Sequence, residues 1–457
     1  MKTSAITLQQ LAGHSVAILG FGRSGRAVAD ALLALGSTPT VYTQTPVLDE
    51  VKAIYRQNGV DFVEEFPQEF RESVLVRSPA IRPDIPPIRR ALANGAYLTG
   101  ECDLFMQSTA ATVIGVTGSD GKTTTANLIF EILKAAGRRV VLGGNNGTPL
   151  LPLADKLSAG DIAVLTNLTP NHLNWHADYE EYAAAKCRAL QGAGRAVVSA
   201  DCPNAFRIGQ RSPTPVIWFS AQKSDFSKNE CAVWAKGEEL VLQTAKGRQT
   251  VSLFSKFRLP GRHNRQNFAA AAAATAEFAS LSDLLAVAAS FSGVEHRLQT
   301  VLTHNGIRFI NSSIDTSPSR TAAALSALGG HPIVIAGGRG KGIPLAPLAD
   351  SLATHAKAVF LYGEAAEEIK KELCGRVPTF VYARFARAFD GACACARCGD
   401  TVLLSPGCTA FGEFGDFEER GRAFCRMARA FAGKDIQKLG TSRTDPADGG
   451  ACQHHGV

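Results

Sequence analysis

Long apolar runs are missing from this sequence. None reaches the roughly 20 residues that a membrane-spanning helix needs, and the opening segment MKTSAITLQQLAGH lacks the apolar core of a signal peptide. No membrane span is expected, and the location read from the sequence is the cytoplasm. An excess of charge is missing too: 48 Lys and Arg against 41 Asp and Glu leave +7 over 457 residues, scattered rather than clustered. That excludes the basic stripe of a nucleic-acid-binding protein and suits anionic small molecules. The 11 cysteines, with no export signal, read as free thiols and not as a disulfide framework. Hydrophobic content of 45% and charged content of 19% are those of a globular chain, and the length calls for about three domains. Only the stretch from about Gly433 on is polar and unpatterned, so 434–457 is expected to be a disordered tail.

What is present, first of all, is glycine in phosphate-binding order. Val113 to Val116 is a β-branched run that reads as a buried strand, Gly118, Ser119, Asp120 and Gly121 as a tight loop, and Lys122, Thr123 and Thr124 as the start of a helix with Leu128, Ile129, Ile132 and Leu133 apolar. Backbone N–H groups of such a loop crowd around phosphate oxygens, the helix N-terminus adds its positive dipole end, Lys122 reaches the terminal phosphates and Thr123 can hold Mg²⁺. The strict GxxxxGK[ST] pattern needs glycine at position 116, where Val116 stands. A second set, Gly20, Gly22 and Gly25, follows the strand Ser15 to Leu19 and opens a helix that stops at Gly36, which is the dinucleotide type of fingerprint. The next strand, Thr40 to Thr43, runs into Gln44 without the acid that would hold a ribose 2′-hydroxyl, so the diphosphate of a UDP-sugar is expected in preference to NAD(P).

These signals divide the chain into an α/β protein of three domains. Residues 1–107 read as a Rossmann-like domain for a UDP-sugar, 108–295 as a central P-loop mononucleotide-binding ATPase domain, and 296–433 as a C-terminal Rossmann-like α/β domain. In the last, strands at Ile307 to Asn311, Pro332 to Ala336, Ala358 to Tyr362, Thr379 to Tyr382 and Thr401 to Leu404 alternate with helices, the pattern of a mainly parallel sheet. His172 and His176 lack the third ligand of a zinc site, and Cys393, Cys395 and Cys398 fall in a helical run where small packing residues account for them better than metal ligands do. Pro260 to Asn267 starts an Ala-rich helix in which Asn264 or Asn267 either caps the first turn or faces a ligand.

TGSDGKTTT, NLTPNHLNWH, AAAK, GRHNRQNFAAA, EHRLQTV and GGRGKG, in that order over about residues 13 to 433, resemble the Mur ligases, and the GFGRSG first domain resembles that of their D-glutamate-adding branch. The resemblance implies a ligase using ATP and Mg²⁺, with UDP-N-acetylmuramoyl-L-alanine and D-glutamate as small-molecule partners, acting as a monomer through an acyl phosphate. It implies that Gly118 to Thr124, Asn267 and Arg297 hold ATP, that Lys122 and His172 serve the reacting groups, and that Lys186 becomes a carbamate which positions Mg²⁺ with Thr123. Asn145 falls near the reacting end of the UDP-sugar and Arg23, Ser24, Thr43 and Gln44 at its uridine and diphosphate. Thr316, Lys341, Phe411 and Phe417 fall where the family receives D-glutamate.

Some positions depart from that pattern. Asn171 and Asn174 stand where the family's PDHLD-like segment has acids, Ile314 where its NDSKAT-like run has lysine, and Ala410 where it has serine. An acidic ELSSFQL-like strand end is missing altogether: Asp161 to Val164 runs straight into Leu165, Thr166 and Asn167. With a strand and a metal-binding carboxylate gone, the central domain is expected to be the least stable part of the protein and a weak binder of Mg²⁺-ATP. A relative that binds ATP or the UDP-muramoyl precursor without full catalysis, or a ligase for folate or another amino acid, remains an alternative.

Overall fold

The computed structural model describes residues 6–44, 46–79, 81–118, 121–144, 148–166, 193–223, 225–245, 247–259, 261–340 and 344–441. The chain forms two compact units, Met1–Phe291 and Ser292–Val457. In the first unit α1 (Leu8–Leu11) precedes β1 (Val16–Leu19), α2 (Arg23–Ala34), β2 (Thr40–Tyr42), α3 (Asp49–Arg56), β3 (Asp61–Val63), β4 (Val74–Arg77), α4 (Pro86–Ala93), β5 (Tyr97–Thr99) and α5 (Glu101–Ser108). The strands make a parallel sheet in the order β3-β2-β1-β4-β5. β1 is buried at every position, as a central strand covered on both faces must be. A Cβ at Gly25 would lie 2.1 Å from the carbonyl oxygen of Gly20, so the last glycine of the fingerprint is what lets α2 close on β1.

No seam in the core marks the expected boundary at 107. Leu8, Val28, Leu32 and Phe105 pack in one cluster with Leu150, Leu151, Ala154 and Ala163. The buried Glu101 carboxylate accepts the N–H groups of Leu150 at 2.7 Å and Leu151 at 2.8 Å, capping the 3₁₀ turn Leu151–Lys156.

The rest of this unit holds β6 (Thr112–Val116), α6 (Lys122–Ala135), β7 (Val140–Gly144), β8 (Ile162–Thr166), β9 (Ala196–Ser199), α7 (Pro203–Gln210), β10 (Val216–Ser220), β11 (Cys231–Lys236), β12 (Glu239–Thr244), β13 (Gly247–Ser252), α8 (Arg262–Thr275) and α9 (Leu281–Ser290). They form two sheets, a parallel three-stranded one in the order β6-β8-β7 and a five-stranded one in the order β13-β12-β11-β10-β9. Among the described residues β6 pairs only with β8 and β9 only with β10. Two adjacent helices bridge the break: α6 covers the smaller sheet, α8 the larger, and the two pack on each other. The expectation of a buried phosphate-loop strand is corrected here. Only Val116 of β6 is buried, while Thr112 and Gly115 are exposed, because a parallel strand is covered on both sides only where neighbours flank it.

The second unit contains β14 (Gln299–His304), β15 (Ile307–Asn311), α10 (Pro318–Leu328), β16 (Ile333–Gly337), α11 (Ala346–His355), β17 (Ala358–Tyr362), α12 (Ala366–Leu373), β18 (Thr379–Tyr382), α13 (Phe385–Cys395), β19 (Thr401–Gly407) and α14 (Phe417–Thr441). The sheet runs β14-β15-β19-β16-β17-β18, parallel except for β14. Leu325, Leu348, Leu352 and Ile369 cover one face. Phe385, Phe389, Phe424 and Ala428 cover the other. Cys393 belongs to that second core, and α13 ends at Cys395, so Cys398 lies beyond the helix. α14 continues to Thr441, so the tail expected from 434 starts inside a helix; 442–457 lie outside the described residues. No helix among the described residues is long and apolar enough to cross a membrane.

Candidate functional site

The loop expected to bind phosphate ends on a glycine in a conformation other residues resist. Gly121 has φ +74° and stands as the N-cap of α6, with no side chain capping that helix. The first-turn N–H groups of a 14-residue helix are therefore left for an anion. Lys122 Nζ donates to the carbonyl of Gly118 at 2.6 Å, which holds the ammonium over the loop. α8 supplies the opposite wall: a Cβ at Gly121 would sit 2.3 Å from Asn267 Oδ1, and Thr125 Oγ1 donates to the same oxygen at 3.4 Å. Of the two asparagines, it is Asn267 that faces the loop, and the N-cap of α8 is Gly261. These residues fit a polyphosphate. They do not by themselves make a Mg²⁺ site: Thr123 stands at the helix start, and among the described residues no three His, Cys, Asp or Glu side chains gather to hold a metal.

At the C-terminal edge of the first sheet, Arg23 and Ser24 begin α2 and Gly22 is its N-cap, where an added Cβ would meet nothing within 4 Å. Thr43 is buried, with its N–H on the carbonyl of Val63 at 2.9 Å, while Gln44 is exposed. The fingerprint glycines, Arg23, Ser24, Thr43 and Gln44 thus share one sheet end, where open α/β sheets bind ligands. Ser119, Asp120, Asn145, His172, Lys186 and Lys341 lie outside the described residues, as do His176, Glu180 and Glu181.

In the second unit the return of the chain to place β19 between β15 and β16 creates a reversal of strand order, and the expected residues collect at the strand ends there. Thr316 follows β15, Ala410 and Phe411 follow β19, and Phe417 begins α14. Ala410 and Phe411 also border a cavity of about 430 Å³ with Gly338, Tyr362, Gly363 and Glu364. Arg297 is exposed between two residues with left-handed backbone, His296 at φ 65° and Leu298 at φ 43°, a local strain that fixes where its side chain starts. Burial pushes the imidazole of His296 below its usual pKa, so the ring is neutral near pH 7. Its Nδ1 lies 3.1 Å from Ser313 Oγ and 3.2 Å from Asn311 Nδ2, and the ring of Phe417 meets it edge-on at 5.9 Å.

Two residues escaped the sequence reading. Arg420, fully buried, donates to Tyr362 Oη at 3.2 Å and to the carbonyls of Thr409, Ser313 and Cys408 at 3.0, 3.0 and 3.1 Å. It ties three strand-end loops together. Asp315, also buried, accepts Ser405 Oγ at 2.8 Å, and burial pushes its carboxyl up to about 6. An arginine on a charged helix and an acid beside a proline-containing turn carry no local signal of burial, and only the folded loops reveal it.

Residues 153–275 match the Mur ligase middle domain, and residues 296–408 match the Mur ligase glutamate ligase domain. A UDP-N-acetylmuramoylalanine–D-glutamate ligase of Ruminiclostridium cellulolyticum is 32% identical, with 90% of this chain and 95% of that one covered. One of Symbiobacterium thermophilum is 35% identical, covering 91% and 98%. Among solved structures, the UDP-N-acetylmuramate–alanine ligase of Thermotoga maritima aligns with a TM-score of 0.51 at 17% identity, over 91% of this chain and 99% of that one, which speaks for the fold alone. With a phosphate loop closed by α8, a second unit whose strand ends collect the expected residues, and relatives that match it along nearly their whole length, the chain belongs to the Mur ligase family.

Proposed function

We propose that this protein is an ATP-dependent, ADP-forming ligase that joins the amine of D-glutamate to the carboxylate of UDP-N-acetylmuramoyl-L-alanine during peptidoglycan precursor synthesis. The observation that carries this reading is the meeting of Gly121, Lys122 and Asn267 at the uncapped start of α6, in a chain whose relatives bearing that activity in their names span it almost completely. When bound, Mg²⁺-ATP supplies the phosphoryl group that activates the precursor carboxylate. The chain's own work is positioning and charge neutralisation. Lys122 and the first-turn N–H groups of α6 neutralise phosphate oxygens, Asn267 fixes the loop from the side, and Thr123 offers one hydroxyl to the metal. Gly22, Arg23, Ser24, Thr43 and Gln44 hold the uridine diphosphate end. Thr316, Phe411 and Phe417 receive D-glutamate at the strand ends of the second unit.

One observation favours a second reading. β8 continues the run from Asp161 without the acidic segment, and β6 has a single partner strand among the described residues. A relative that binds nucleotide and precursor yet turns over poorly fits that arrangement. Phosphate release measured with UDP-N-acetylmuramoyl-L-alanine, ATP and Mg²⁺, with and without D-glutamate, separates the two. Release that depends on D-glutamate supports the ligase. Calorimetric binding of both ligands without release supports the impaired relative, and release indifferent to D-glutamate sinks the acceptor assignment.

A further inference from the structure

Asp315 follows β15 directly before Thr316, and its carboxylate is enclosed: the residue is 5% exposed. Ser405 Oγ, at the end of β19, donates to Oδ2 at 2.8 Å, and Thr321 Oγ1 lies 3.0 Å from the same serine oxygen. A serine has one hydroxyl hydrogen, so when it points at the carboxylate, Thr321 must be the donor in the second bond. The Ser312 hydroxyl binds the carboxylate from the other side and itself accepts the N–H of Leu298 at 3.2 Å, the residue after Arg297. Asp315 also receives the N–H of Gly407 on its backbone carbonyl at 2.8 Å. The Asp315 carboxylate thus bridges Ser312 and Ser405, Ser312 carries the link on to Leu298, and the Asp315 backbone holds Gly407. The charged groups that face it are Arg320, on α10, and Arg297.

Burial raises the pKa of this carboxyl to about 6, with Ser312, Ser405, Arg320 and Arg297 pulling the other way. Near neutral pH it is thus an anion kept in a place that disfavours anions. Such a buried charge beside the strand ends is a candidate for a functional position as well as a structural one.

We propose that Asp315 is a positioning residue that sets the loops carrying Arg297 and Thr316 relative to each other, so that one carboxylate fixes the acceptor end of the site in the second unit. This rests on the ligase reading above. Asp315→Asn keeps the shape and one acceptor oxygen but loses the second. Its KM for D-glutamate should rise about tenfold or more, with the KM for the UDP-precursor unchanged within about twofold. Ser405→Ala should act in the same direction, and the double variant should lose no more than the larger single effect, as members of one network do. In the unsubstituted protein KM for D-glutamate should climb as pH falls through about 6, and in Asp315→Asn it should not. A D-glutamate KM within about twofold in both single variants, or additive losses, overturns the proposal. If Asp315→Asn fails to fold, Ser405→Ala and the pH profile carry the test. An unsubstituted protein that shows no D-glutamate-dependent phosphate release refutes the ligase reading instead. The hub is then judged by hydrogen exchange at Leu298, whose N–H rests on Ser312 Oγ: faster exchange in Asp315→Asn supports it, and unchanged exchange refutes it.

Discussion

Replacing Gly121 with alanine asks how much of the nucleotide site rests on one backbone conformation. Two costs arise. At φ +74° an L-residue is strained by about 1 to 2 kcal/mol. Its Cβ would also stand 2.3 Å from Asn267 Oδ1, too close for any real contact, so the asparagine must swing away and give up its bond from Thr125. That bond is worth about 1 kcal/mol, which brings the expected total to roughly 2 to 3 kcal/mol. Gly137 provides the control. Its φ is +70°, nearly the same, and nothing lies within 4 Å of its would-be Cβ. Gly137→Ala should show the backbone cost alone, about 1 to 2 kcal/mol. Denaturant unfolding of both variants, followed with a probe in the first unit, gives the difference. Calorimetry with Mg²⁺-ATP should show about a tenfold loss of affinity in Gly121→Ala, the consequence of about 1.4 kcal/mol of misplaced loop and asparagine, and none in Gly137→Ala. Equal destabilisation in the two variants, or intact ATP binding in Gly121→Ala, would refute the placing of Asn267 against the phosphate loop.

Other outcomes follow from the same geometry. Lys122→Ala should abolish D-glutamate-dependent phosphate release, since the ammonium over Gly118 neutralises the transferring group; activity retained within about threefold sinks the phosphate-loop assignment. Gly22→Val should fold normally, because nothing lies within 4 Å of its Cβ, yet weaken binding of the UDP-precursor while leaving ATP binding unchanged; equal calorimetric losses for both ligands count against the uridine site. Asp315 fixes a pH dependence. Its folded pKa of about 6 lies above the unfolded value of 3.8, so the group's stabilising contribution is complete below about 4 and is lost as pH rises through about 6. The loss is at most on the order of 3 kcal/mol. Asp315→Asn should therefore gain thermal midpoint over the unsubstituted protein near pH 8 and lose that advantage near pH 4, and a constant difference across the range would disprove the burial of the charge.

Much of the fold could be read from the residues because it is written in local patterns. Strands β15, β17 and β18 fall where the apolar runs at Ile307, Ala358 and Thr379 place them; β17, buried at every position inside the sheet, must be apolar throughout, while β18 at the edge keeps an apolar run although Phe380 is exposed. The antiparallel β14 passed unnoticed, as its exposed edge position leaves polar residues such as Gln299 and His304 in the strand. The helix α7 was hidden for a like reason, its eight residues opening with a proline and burying only Gly209. β6 looked like an interior strand from Val113, Ile114 and Val116, but its burial depends on a neighbour that sequence order alone does not place.

The sequence by itself determined the strand–loop–helix at Gly121 and Lys122, the fingerprint glycines before α2 and the alternation of most strands and helices, because each depends on residues a few positions apart: a glycine at positive φ, a lysine one step on, an apolar period of the right length. Only the tertiary structure decided which of Asn264 and Asn267 faces the loop, that the central strands form two sheets joined through α6 and α8, and that Arg420 and Asp315 organise the strand ends of the second unit. Those outcomes depend on contacts between residues as far apart as Gly121 and Asn267, or Ser313 and Arg420. A buried charge is stable only where several distant groups converge on it, and that convergence exists in the folded chain and nowhere in its order of residues.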